Sequence, residues 1–167
     1  MATAAQSTLD TGHTSRDWLR ILSILIAIIG TAISGYIVLA ELTNTATVCP
    51  QNSTFNCDLV QHSIYSKVGP IPVAYLGLAG YVLILLALLL ETRIPFLQDR
   101  GRLVVFALTL FGVMFSGYLT AIEAFVLKAW CIWCLSSAIT MLVLFVVSLV
   151  RLWRGTSEDL IEDDEEA

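Results

Sequence analysis

The sequence predicts an all-α integral membrane protein: a four-helix bundle with an extracytoplasmic capping loop and a short half-helix. Three observations carry that prediction. Of 167 residues, 57% are hydrophobic and only 14% charged, against about 25% charged in typical soluble domains. Four apolar stretches of 21–25 residues, Trp18–Leu42, Ile71–Glu91, Leu103–Leu127 and Cys131–Trp153, are each long enough to cross a hydrocarbon core of about 30 Å. The basic residues are also unevenly shared between the ends of those stretches. A soluble domain of this size needs a large polar shell, so a water-soluble globule is excluded.

In chain order, residues 1–15 are rich in Thr, Ser and Ala and read as a disordered cytoplasmic N-terminus. Residues 16–154 are expected to form the four-helix membrane domain. Residues 155–167 carry Glu158, Asp159, Glu162, Asp163, Asp164, Glu165 and Glu166, an acidic tail too charged to fold alone and expected to be disordered. Arg16, Arg20, Arg93, Arg100, Arg102, Arg151 and Arg154 flank one set of helix ends and only Lys67 and Lys128 the other. The positive-inside rule then puts both termini in the cytoplasm of a multi-pass cell-membrane protein. The first stretch is too long for a signal-peptide core and is expected to be retained. Trp18 and Trp153 fall at the inner boundary and Trp130 and Trp133 at the outer one, where indole rings anchor spans.

At an offset of 82 residues, Gly30, Ser34, Gly35, Tyr36, Glu41 and Cys49 align with Gly112, Ser116, Gly117, Tyr118, Glu123 and Cys131. Both copies of this G-x3-S-G-Y-x4-E-x7-C pattern lie on spans running from inside to outside. The small residues four apart predict close helix approach. Glu41 and Glu123 are costly within a span unless they reach an interface or a partner; snorkelling to water is the first expectation and proton handling the alternative.

All four cysteines, Cys49, Cys57, Cys131 and Cys134, fall at the outer ends, where disulfides persist and thiol pairs read as redox groups. A disulfide across Cys131-Ile132-Trp133-Cys134 would constrain the unfolded chain by only about 2 kcal/mol, against about 4.7 for a 100-residue loop, so stapling is a poor reason for it. At a helix N-terminus the free N–H groups favour a thiolate, and this pair is an exchangeable dithiol. Cys49 and Cys57 sit in the loop Thr43–Pro70, separated by turn formers that include Pro50, Asn52, Ser53 and Asn56, which predicts a mobile arm. Asp58–Val68 is expected to form a short amphipathic helix on the membrane surface. Two pairs at one face suggest a relay by thiol–disulfide exchange. Moving an electron pair from about −270 mV to about −120 mV corresponds to roughly 7 kcal/mol, which reshuffling cannot supply, so a membrane quinone is the natural sink.

The chain resembles the vitamin K epoxide reductase family over roughly Trp18 to Arg154. The resemblance rests on C-x7-C in the loop, Ser63 six residues after its second cysteine, the Gly-x-Ile-Pro-x4-Gly run from Gly69 to Gly77, and C-x-x-C opening the fourth span. It implies a bundle around a quinone of menaquinone or ubiquinone type, with Cys134 nearest the quinone and Cys131 its exchange partner. It further implies that Cys57 shuttles electrons to Cys131 and that Cys49 meets a separate extracytoplasmic thioredoxin-like protein. Ser63 would support the half-helix, and Pro72, Tyr75, Tyr118 and Ala138 join it as quinone-side candidates. Ala138 stands where vertebrate members carry Tyr, and Ile71–Tyr75 lacks their Asn, which favours simple quinone reduction over epoxide reduction.

Other readings stay open. The other four-helix quinone-linked disulfide oxidases carry C-x-x-C in the first outer loop, whereas here it is the second pair. Four thiolates can also hold zinc, which elemental analysis would reveal. A non-catalytic scaffold with disulfide-braced loops would show no quinone reduction to lose. His62, near Cys57, reads first as solvated loop surface, and His13 carries no signal.

Overall fold

The computed structural model describes residues 2–43, 45, 47–50, 55–93 and 95–165, and the side chains of 2–17, 95–99 and 155–165 are outside that description. Helix α1 spans Ala2–Leu42, α2 Cys57–Gln61, α3 Val73–Leu90, α4 Pro95–Ala121 and α5 Ile132–Glu165. A π-helical turn, Ile122–Leu127, continues α4, and a small hairpin of β1 (Lys67–Val68) and β2 (Ile71–Pro72) precedes α3. Four helical segments are long and apolar enough to cross a membrane: Trp18–Leu42, Val73–Leu90, Arg100–Leu127 and Ile132–Arg154. The expectation that residues 1–15 and 155–167 are disordered falls on side chains outside the description, and it remains an expectation.

These helices close a ring in which α1 packs on α3 and α5, and α4 on α3 and α5. The centre holds Ala27, Tyr81, Ile84, Leu88, Val105, Met141 and Leu144. Only 11–28% of each spanning segment is buried inside the protein. Much of the remainder, including Ile21, Leu25, Leu83, Leu86, Phe111 and Val146, is exposed on the outside of the bundle, an apolar area far beyond what a soluble surface carries. Lipid is the solvent that such a surface fits, and the chain is a multi-pass membrane protein.

Two glycines of the repeat show why small residues stand there. A Cβ at Gly30 would collide with the ring of Tyr81 on α3, and one at Gly112 would meet the Met141 sulfur on α5 at 2.7 Å. Each of the two helices that carry the repeat thus takes a large side chain of its neighbour against bare backbone, the close approach the spacing predicts.

At the end of the bundle away from the cysteines, polar groups tie helices together. Arg20 of α1 donates to the Leu88 carbonyl at 3.1 Å and to Thr92 Oγ1 at 3.3 Å, satisfying one of the orphan carbonyls at the end of α3. Arg151 is buried and grips both oxygens of Glu91 at 2.8 and 3.0 Å. One of the arginines counted toward topology is therefore an internal ion-pair member, invisible in a tally of loop charges.

The expected surface helix over Asp58–Val68 is corrected. α2 stops at Gln61 because Ser63 is extended (φ −69°, ψ 159°), a single 3-10 turn follows at Ile64–Ser66, and the chain then enters the hairpin. Lys67 pairs with Pro72 and Val68 with Ile71. Gly69 lies between them at φ +64°, a conformation that glycine adopts without a Cβ penalty. Pro72 then caps α3, where a residue without an N–H removes one orphan donor.

Candidate active site

The four cysteines meet at one end of the bundle, and the local chemistry of the fourth helix explains how. Cys131 is the residue before α5, and its carbonyl accepts the first helical bond, from Leu135 N–H at 2.9 Å. Its sulfur accepts the Cys134 N–H at 3.4 Å, the third residue of the helix. Its own N–H donates to Glu123 Oε2 at 3.1 Å. This is the logic of a capping box, in which an N-cap side chain serves the third N–H and a carboxylate serves the N-cap N–H. Here the cap is a sulfur, and the carboxylate comes from the preceding helix.

Glu123 reaches that position because α4 does not end as an α-helix. In the π turn the Lys128 N–H bonds back to the Glu123 carbonyl, and Ala129 N–H joins it at 3.3 Å. Lys128 takes the left-handed conformation at φ 51°, reversing the chain within a few residues. The turn wraps around Glu123 and leaves its side chain 5% exposed. The first expectation, that this carboxylate snorkels to water, is overturned by that wrapping. Widened π turns occur often at functional sites.

Cys49 and Cys57 are joined in a disulfide, while Cys131 and Cys134 are free. Asn56 caps α2, its Oδ1 accepting Leu59 N–H at 3.1 Å, which puts Cys57 at the first position of that helix. The arm between them is held at both ends. Asn56 N–H donates to the Trp130 carbonyl at 3.1 Å, and Phe55 bridges Trp130 in parallel. At the other end Val48 N–H donates to the Tyr36 hydroxyl at 3.1 Å, and Trp133 Nε1 donates to the Val48 carbonyl at 2.9 Å. Tyr36 and Trp133 also pack with ring centroids 4.5 Å apart. Trp130 and Trp133, expected from the sequence to anchor a span, thus hold the arm. The expectation of a mobile arm concerns chiefly residues 51–54, which lie outside the described residues.

Cys57 (1% exposed) and Cys131 (0%) share one buried cluster with Val60 and Ala129, against which Cys49 and Cys134 pack. Gln61 of α2 donates to Thr47 Oγ1 at 3.2 Å and points to the Cys131 sulfur at 3.9 Å. Hydrogen bonding with the Cys134 thiol pulls the Cys131 thiol below its ordinary range. Burial opposes that pull, the Cys134 N–H lowers it further, the Glu123 carboxylate raises it and Gln61 lowers it, and the balance is about 7. That direction favours the thiolate, the reactive form of a cysteine.

Beneath the cluster lies a cavity of about 500 Å³ reached by Cys134, Glu123, Glu41, Ser137 and two of the predicted contacts, Ser63 and Ala138. Ser63 Oγ also donates to the Val60 carbonyl at 2.9 Å, closing the end of α2. Pro72, Tyr75 and Tyr118 are not among the residues lining this cavity; Pro72 sits in the hairpin and Tyr118 is 62% exposed on the outer face of α4. His62 is exposed and faces Asp58 at 3.3 Å. Sequence reasoning missed Gln61 and the engagement of Tyr36 and Trp133, because each partner lies far away in the chain.

The sequence model of the vitamin K epoxide reductase family matches residues 21–149, more than half of the chain. The chain belongs to the vitamin K epoxide reductase family. A search of the curated proteins returned no match. As a vitamin K epoxide reductase family member the chain is a membrane oxidoreductase, and the matched residues include all four cysteines.

Proposed function

We propose that this protein passes electrons from an extracytoplasmic thioredoxin-like thiol protein to a membrane quinone, supporting disulfide-bond formation. Cys49 meets the partner, Cys57 carries the exchange to Cys131, and Cys134 faces the quinone. The carrying observation is that Cys57 of the arm disulfide and Cys131 of the free thiol pair are buried in one cluster, while Cys134 of that pair lines the cavity. Each exchange conserves electrons: a thiolate attacks one sulfur of a disulfide, a mixed disulfide forms, and the displaced sulfur leaves as a new thiolate. In the direction of the relay the partner opens the Cys49–Cys57 disulfide, the Cys57 thiolate attacks Cys131 of the oxidised Cys131–Cys134 pair, Cys134 leaves as thiolate, and Cys49 resolves the mixed disulfide to release Cys131; the sulfur-facing cavity suits a quinone ring. With Cys49 and Cys57 bonded to each other, only two thiols remain as ligands, which disfavours a four-thiolate zinc site. Both termini are read as cytoplasmic and the cysteine end as outward-facing, on the arginine asymmetry.

The test is quinone reduction by purified protein supplied with a thioredoxin-like thiol protein. Cys134→Ala is expected to abolish turnover. Cys49→Ala is expected to keep turnover with small membrane-permeable thiols and to lose it with the protein donor; equal losses with both donors contradict the assignment.

A further inference from the structure

We propose that Glu123 is a catalytic residue of the quinone half-reaction: its carboxylate takes the proton of the Cys134 thiol as that sulfur is oxidised, and passes it to a quinone oxygen in the adjoining cavity. The inference rests on the relay proposed above.

Three observations converge on this carboxylate. It accepts the Cys131 backbone N–H at 3.1 Å, and its side chain lies beside the Cys134 thiol. It lines the same cavity as Cys134. And it is buried with no cation paired to it among the described residues. A buried carboxylate is a costly way to satisfy one amide N–H, since the neutral amide of Gln would serve equally well. The other titratable groups lining that cavity are Glu41 from α1, Asp58 from α2, His62 at the C-terminal cap of α2, and Tyr65 and Lys67 beyond it. Among the described residues none of these hydrogen-bonds either thiol of the pair.

The step balances. The Cys131–Cys134 disulfide bond forms, both sulfurs give up their protons, and the quinone accepts the electron pair to become a hydroquinone with two new O–H bonds. The Cys131 proton is lost to solvent as its sulfur enters the disulfide, and the second quinone oxygen takes an equivalent proton from solvent. The Cys134 proton passes through Glu123, which begins and ends the cycle as a carboxylate.

The full-length protein in nanodiscs, with dithiothreitol as donor and a short-tailed quinone as acceptor, provides the test. Glu123→Gln keeps an acceptor for the Cys131 N–H and loses the titratable group. Its kcat is expected to fall about 100-fold, the low end for general acid–base catalysis, with the quinone KM within about twofold of wild type. Alkylation of Cys131 is expected to be as fast or faster, because the carboxylate raises that thiol. Glu123→Asp is expected to recover part of the rate. A Glu123→Gln kcat within about threefold of wild type, a loss confined to KM, or Asp as slow as Gln overturns the inference. Should Glu123→Gln fail to fold, redox-difference infrared spectroscopy of the wild type decides, with a carboxyl signal that changes on quinone reduction expected and an unchanging one contradictory. Failure of the relay itself looks different, because wild-type protein would then reduce no quinone at all.

Discussion

The two copies of the G-x3-S-G-Y-x4-E-x7-C motif share a scaffold and part company where each helix ends. In both, the glycine takes a large neighbouring side chain, Tyr81 on Gly30 and Met141 on Gly112. In both, the serine and the glutamate, Ser34 with Glu41 and Ser116 with Glu123, line the same cavity from different helices. Beyond the glutamates they diverge. α1 stops at Leu42 and the chain runs into the arm that carries Cys49, whereas α4 passes into a π turn that folds back and delivers Cys131 onto its own glutamate. A repeated motif therefore specifies two walls of one chamber, and the turn that follows decides which cysteine becomes a helix cap and which an arm.

The sharpest way to break this comparison is to remove the matched cysteines. Cys131→Ala is expected to abolish quinone reduction with every donor, because the exchange partner of Cys134 is gone, while Cys49→Ala loses only the protein donor. Parallel turnover assays with dithiothreitol and a thiol protein would show it.

Next come the glycines. Gly30→Ala forces a methyl group into the Tyr81 ring, which is itself fixed by a hydrogen bond to the Ser137 carbonyl at 2.7 Å. It is expected to destabilise the bundle by about 1–3 kcal/mol, as overpacking does. Gly112→Ala meets the far end of a flexible Met141 side chain and is expected to be milder. Unfolding in mixed micelles would compare them, and equal losses would mean that the two packings are equivalent after all.

The tyrosines differ by less. Tyr36→Phe loses the hydrogen bond from Val48 N–H, about 1 kcal/mol, and is expected to speed reduction of the Cys49–Cys57 disulfide by freeing the arm. Tyr118→Phe, at an exposed site, is expected to leave that rate unchanged.

The smallest effect concerns pH. With Cys131 held at about 7, its alkylation by iodoacetamide should rise through pH 7 and level off above about pH 8, where an ordinary thiol rises through about 8.5. Gln61→Ala removes one stabiliser of the thiolate and should move the midpoint upward; Cys134→Ala, which removes the largest, should move it further.

Much of this was legible in the sequence because it depends on composition and short-range spacing. Four spans, the gathering of four cysteines at one end, and the packing role of Gly30 and Gly112 all follow from apolar run length, turn residues and four-residue periods. What escaped depends on contacts distant in the chain. Gln61 reaches Cys131 across 70 residues, and Arg151 finds Glu91 across 60. The π turn left no sign in local propensity, so Glu123 reads from sequence like Glu41, although only one of them holds a cysteine N–H. Asp58–Val68 has the apolar pattern of a longer half-helix, and the interruption at Ser63 is a backbone event that this pattern does not encode.

The central claim is that Cys57 and Cys131 are exchange partners, and trapping tests it most directly. In a Cys49→Ser, Cys134→Ser double variant the two remaining sulfurs have no other partner, and mass spectrometry of the oxidised, digested protein should find a Cys57–Cys131 disulfide within one molecule. Two free thiols after oxidation, or a bridge only between molecules, would contradict the account.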